Sequence, residues 1–126
     1  MKIRDVIDLL SCEILTPTTF REDQEINYGF SSDLMSDALM ILNTVQSEEV
    51  LSQSALITGL ATNQAVRTAE MLDVNVLLMV RDKQPSTKVL FLAEQSNIII
   101  LKTKHTMFNT VGLLYEKGVK GIIRYE

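Results

Sequence analysis

Short apolar runs recur at a nearly constant interval through the second half of the chain, and this pattern restricts the fold more than any other feature. The runs are Ala55-Leu56-Ile57-Thr58, Val76-Leu77-Leu78-Met79-Val80, Ile98-Ile99-Ile100-Leu101 and Gly121-Ile122-Ile123. Between Ile57, Leu78, Ile100 and Ile122 the spacings are 21, 22 and 22 residues. Such a period accommodates one buried strand and one return helix, so it predicts repeated βα units in a parallel sheet. In sheets of this kind ligands gather where strands end and helices begin.

The N-terminal third carries different signals. Ile3, Val6, Ile7 and Leu10 recur as one face of an amphipathic helix, with Arg4, Asp5 and Asp8 left to solvent. Glu13 to Thr16 predicts a short strand closed by Pro17, and the alternation of Ile26, Tyr28 and Phe30 predicts a half-buried one. Ser32 or Asp33 is a suitable cap for a following helix with Leu34, Ala38 and Ile41 on one face. The polar stretch from Asn43 to Gln53 is expected to be a solvated connection. Later helices are expected to start near Thr62-Asn63, at Pro85-Ser86 and near Thr106, and Gly118 is placed to stop the last of them.

Several function classes are disfavoured by composition. A chain of 126 residues fits a single domain with a real core, and a net charge of −4 with scattered lysines and arginines lacks the basic footprint of a nucleic-acid binder. A lone Cys12 rules out an internal disulfide, and with a single His105 there is no zinc set, so neither a metal nor a cofactor is expected. Met1 to Asp5 leads into no long apolar segment and no run could span a bilayer, so a cytoplasmic protein without a membrane partner is expected.

Chemistry-bearing residues cluster after the predicted strands. Gly59 permits a tight βα turn, and Thr62 and Asn63 offer polar groups at a helix start where backbone N–H groups can receive an anion. The segment matches neither nucleotide-binding glycine pattern, which leaves a plain βα turn as the competing reading. Arg81 and Lys83 follow the second run, and Lys102, Thr103 and Lys104 the third. Adjacent parallel strands would raise them on the same edge as Thr62, as a seat for an anionic ligand or as solvated loops. Asp33 and Asp37, four residues apart, suit acid–base work or a cation, but a capped acidic helix start accounts for them more simply. Tyr28, Phe30, Met35 and Met40 exceed the apolar needs of one strand–helix pair and are candidates for a dimer face.

The ordered motifs Asp23 to Asp37, Leu56-Ile57-Thr58-Gly59, Ala69-Glu70-Met71-Leu72-Asp73, Leu92-Ala93-Glu94 and Leu101-Lys102-Thr103-Lys104 together resemble the DRTGG domain family. That family is similar to the N-terminal domain of HPr kinase/phosphorylase, and the resemblance spans nearly the whole chain, 1–126, as a single domain. It implies an α/β fold, three-layer α/β/α with a mixed, mostly parallel sheet. Related domains stand beside phosphotransacetylase catalytic domains and between the CBS domains of regulated pyrophosphatases, which implies a regulatory or oligomerising role. HPr kinase carries its phosphate-binding loop in a separate domain, and no such loop is present here, so kinase activity is not carried over. The namesake pentapeptide is also absent as written, and the resemblance transfers no catalytic residue.

These readings predict a non-catalytic regulatory and oligomerisation module, homodimeric, that senses a small anionic or nucleotide ligand through Gly59, Thr62, Asn63, Arg81, Lys102 and Thr103. The alternatives are a small hydrolase using Asp33 or Asp37 with His105, and a structural protein partner of a separate kinase or phosphatase.

Overall fold

Three of the apolar runs become neighbouring parallel strands at the centre of one sheet. In this computed structural model, which describes residues 1–45 and 47–122, they are β3 (Ser54–Thr58), β4 (Val76–Met79) and β5 (Ile99–Lys102). Leu56 lies beside Leu77, and Leu77 beside Ile100. The other strands are β1 (Glu13–Ile14), β2 (Tyr28–Ser31) and β6 (Lys120–Gly121), and the order is β1-β5-β4-β3-β2-β6, with only β1 antiparallel. The fourth run thus crosses to the far edge, beside β2; of that run, Ile123 lies outside the described residues.

The helices are α1 (Ile3–Leu10), α2 (Met35–Leu42), α3 (Glu48–Ser52), α4 (Asn63–Met71), α5 (Thr87–Gln95) and α6 (Met107–Glu116). Side chains alternate across the sheet as the pleat requires. Leu56, Leu77, Met79 and Ile100 pack under α2, α4 and α5, whereas Ala55, Ile57, Leu78, Val80, Ile99 and Leu101 pack under α1 and α6. The architecture is a three-layer α/β/α sandwich with a mostly parallel sheet, and strands buried on both faces explain why β3 and β4 read as unbroken apolar runs.

Helix starts follow local chemistry. Ser86 Oγ accepts from Val89 N–H and Thr106 Oγ1 from Asn109 N–H, so α5 begins after Ser86, and Pro85 precedes its cap instead of occupying the first turn. Gly118, at φ 99°, takes the left-handed turn that ends α6.

Two expectations need correction. In α2, Met35, Ala38 and Leu42 face the core, not Leu34, Ala38 and Ile41; neither Ser32 nor Asp33 caps the helix. Ser32 Oγ instead accepts from Leu34 N–H at 3.0 Å and Asp33 is bonded to another loop, so the helix starts one residue late and its buried stripe rotates. Within Asn43 to Gln53, where Gln46 lies outside the described residues, Ser47 caps the short helix α3 through Val50 N–H, which the polar composition concealed.

At the edge strand, side chains extend the ladder past Pro17. Leu15 N–H donates to Ile100 O, then Thr16 Oγ1 accepts from Ile100 N–H at 2.9 Å and Thr19 Oγ1 donates to Ile98 O at 2.9 Å. Buried backbone groups that β1 is too short to reach are satisfied in this way.

Candidate functional site at the carboxyl edge of the sheet

All five parallel strands point the same way, so the loops after β2, β3, β4 and β5 rise together at one edge. The chain leaves β4 for α5 on one face and β5 for α6 on the other. That divergence makes the β4–β5 boundary the topological switch point, where open α/β sheets form a ligand crevice. Here the crevice is stitched shut by backbone: Arg81 N–H donates to His105 O at 2.8 Å and Asp82 N–H to Thr103 O at 2.9 Å. Arg81 and Asp82 both adopt left-handed backbone, at φ 58° and 57°. Such residues cost about 1–3 kcal/mol each and persist where surrounding bonds hold them.

The twist sends the Arg81 side chain back over the next loop. Its guanidinium lies against Gly59 so closely that a Cβ there would collide with it, with Cζ at 2.9 Å, so this approach requires glycine. From the loop after β2 comes Asp33. Its Oδ1 accepts from Gly59 N–H at 2.6 Å and from Thr58 Oγ1 at 3.3 Å, while its Oδ2 faces Arg81 Nη2 at 3.6 Å. Two segments therefore converge donors on a carboxylate supplied by a third. Asp33 and Arg81 both remain about half exposed, at 55% and 47% of their side chains.

The residues singled out in the sequence divide sharply. Gly59 and Arg81 belong to this cluster, and Thr62 and Asn63 lie exposed just beyond it at the start of α4, where Thr62 makes no capping bond through its side chain. Lys102 is engaged elsewhere: its Nζ lies 3.0 Å from Gln84 Oε1, 3.2 Å from Asp82 and 3.9 Å from Glu13. Thr103 is fully buried and its hydroxyl donates to Leu10 O at 2.8 Å, so it cannot face a ligand. Asp33 is the residue of this cluster that the sequence reading did not place among the candidate ligand contacts. It lies 26 residues from Gly59 and reads in the sequence as a cap, an acid or a cation ligand; the available signal is that Asp33, Gly59 and Arg81 each fall within two residues of a strand's end.

The dimer face is likewise corrected. Met35 is buried and so is closed to a partner, Phe30 packs on the core under α2, and Met40 is half exposed. The Asp37–His105 pair of the hydrolase reading does not converge either. Asp37 is on α2, on one side of the sheet, whereas His105 lines a cleft of about 280 Å³ with Leu10, Ser11 and Asn109 on the other. Among the described residues no group of three or more His, Cys, Asp or Glu side chains could hold a metal ion, and no helix is long and apolar enough to cross a membrane.

Cys12 packs against the core under α1, and burial pushes its thiol up to about 12 from 9.0. The folded chain thus holds this proton more tightly than the unfolded one. The resulting stabilisation is complete below 9.0 and falls away as pH rises from there toward about 12. Labelling by a disulfide reagent at pH 8 is expected to run about tenfold or more slower in the native chain than in denaturant. Equal rates would show that the thiol is not shielded.

No family model and no curated protein matches the chain. Among solved structures it is similar to the CBS and DRTGG domains of the regulatory region of Clostridium perfringens pyrophosphatase, crystallised in complex with the activator diadenosine tetraphosphate. The TM-score is 0.62 with 18% identity, over 89% of this chain and 45% of that one, so the chain spans less than half the length of that neighbour. The likeness is one of fold and supports a DRTGG-like architecture.

Proposed function

We propose that residues 1–126 form a single DRTGG-like regulatory domain that senses a small anionic or nucleotide ligand at the carboxyl edge of its sheet, and that it is not an enzyme. One observation carries this reading: the Gly59 N–H, the Thr58 hydroxyl and the Arg81 guanidinium converge on a single anionic group at the ends of three adjacent parallel strands. Backbone N–H groups beside a guanidinium fit the tetrahedral oxygens of a phosphate as well as they fit a carboxylate. The fold neighbour is a regulatory region that was crystallised with a nucleotide activator, which favours a phosphorylated ligand over a simple carboxylate. Thr62 and Asn63 stand where they could reach further groups of such a molecule.

Thermal-shift and calorimetric titration with inorganic pyrophosphate, ATP and diadenosine tetraphosphate tests the reading. Binding at this edge raises the melting temperature with ligand concentration, by mass action. No stabilisation by any of the three at millimolar concentration would overturn it.

The same reading includes self-association as a homodimer. With Met35 in the core and Phe30 packed against it, the apolar surface for it is on α6, where Phe108 and Tyr115 are 86% and 70% exposed. No charged residue occurs from Thr106 to Tyr115, a composition that suits an interface core. A clean monomer by light scattering at high micromolar concentration would remove self-association and leave ligand sensing standing.

A further inference from the structure

We propose that Asp33 is a resident anion: its carboxylate occupies the seat of the ligand's anionic group, and a ligand enters only by ejecting it. The inference rests on the reading of this edge as the ligand site and adds how that site is regulated. The donors around Asp33 come entirely from other segments, Thr58 at the end of β3, Gly59 just after it, and Arg81 in the loop after β4. The loop that carries Asp33 does not need this carboxylate for its own turn, because Ser32 Oγ both accepts from Leu34 N–H and donates to Leu34 O at 3.1 Å. Leu34 beside it is 62% exposed and is not part of the buried core. The half-exposed carboxylate can therefore swing into water without uncovering core. A phosphate approaching the occupied seat meets a like charge at contact distance, so the two anions exclude each other.

In energetic terms the resident carboxylate lowers apparent affinity by the fraction of time that the seat is free. The consequence reaches α2, which begins two residues after Asp33 and is anchored through the buried Met35. Ligand entry thus releases the loop that leads into this helix.

The test measures inorganic pyrophosphate binding by calorimetry to the wild type and to Asp33→Asn, Asp33→Ala and Asp73→Asn. Asp33→Asn retains an oxygen acceptor for Gly59 N–H and loses the charge. Asp73→Asn makes the same change of net charge in the turn before β4, at the opposite end of the sheet. Both Asp33 variants are expected to bind about tenfold or more tightly than wild type, with Asp73→Asn within about twofold. Wild-type binding that is unchanged or weakened in both Asp33 variants overturns the resident anion while leaving the site in place. Tightening of equal size in Asp73→Asn also overturns it, since the effect would then be general charge. Absence of pyrophosphate binding in every protein overturns the inference, and the site falls with it if ATP and diadenosine tetraphosphate also fail to bind.

Should the Asp33 variants fail to fold, NMR of the wild type decides. Pyrophosphate that shifts the Gly59 amide and returns the Asp33 carboxyl carbon to its free-solution position supports ejection. A Gly59 shift with an unmoved Asp33 carboxyl refutes it.

Discussion

Leu77→Ala is expected to unfold about 12–20 °C below the wild type, the largest stability change among the substitutions considered. Leu77 is fully buried at the middle of β4, with Leu56 beside it on β3 and Ile100 on β5. It packs under α4 and α5 with Ala65, Ala69, Val89 and Ala93, all buried. Several of these neighbours are alanines on helices pinned to the sheet by other contacts, so they have little side chain with which to fill the void. Removing three buried carbon atoms at so rigid a site costs about 3–5 kcal/mol, against a total of about 5–15 kcal/mol for a domain of ordinary stability. At this chain length about 4 °C accompanies each kcal/mol. Met71→Ala, at a methionine 71% exposed, should stay within about 0.5 kcal/mol of wild type. Circular dichroism melts of the two variants check both values, and a loss below about 1 kcal/mol for Leu77→Ala would mean that β4 is not the buried centre of the sheet.

The buried layer that Leu77 occupies was legible in the sequence because parallel strands covered on both faces leave continuous apolar runs, and β3, β4 and β5 do so. Helix starts were legible to within a residue where the capping side chain acts locally, as near Ser86 and Thr106. Asp33 was misread for the opposite reason. Its chemistry is well suited to a cap, but a partner 26 residues away competes for the same oxygen, and nothing within the local window reports that partner. The phase error in α2 followed directly, since a helix entered one residue later turns a different stripe inward. Met35 and Phe30 exceeded the needs of an isolated strand–helix pair only because the sheet on which they pack is assembled from distant segments. Likewise, composition marks Lys102 as basic, but only the fold shows Asp82, Gln84 and Glu13 gathered around its ammonium group.

Arg81→Gln is expected to weaken pyrophosphate binding about 10- to 100-fold while moving the melting temperature by no more than about 4 °C. The small stability effect follows from the pair that it breaks. Arg81 and Asp33 are 3.6 Å apart and both half exposed, and exposed ion pairs of this kind contribute about 0–1 kcal/mol. The backbone N–H of residue 81, which holds the loop through His105 O, is untouched by the substitution. The affinity loss follows from the guanidinium, since a hydrogen bond to a charged group contributes about 1.5–3 kcal/mol. Arg81→Lys should fall between the two, as it keeps the charge and loses the forked geometry. Gly59→Ala reaches the same endpoint from behind: its Cβ would displace the guanidinium, so affinity drops with no change in net charge. Calorimetric titration checks all three, and Arg81→Gln binding within about twofold of wild type would place the ligand elsewhere, with the polar cleft of about 460 Å³ around Arg21, Gln24 and Asn75 as the next location to probe. The comparison with Asp33→Asn is the decisive one. Both substitutions break the same ion pair, so a role confined to stability would move binding in the same direction for each, whereas a seat built for an incoming anion requires opposite signs.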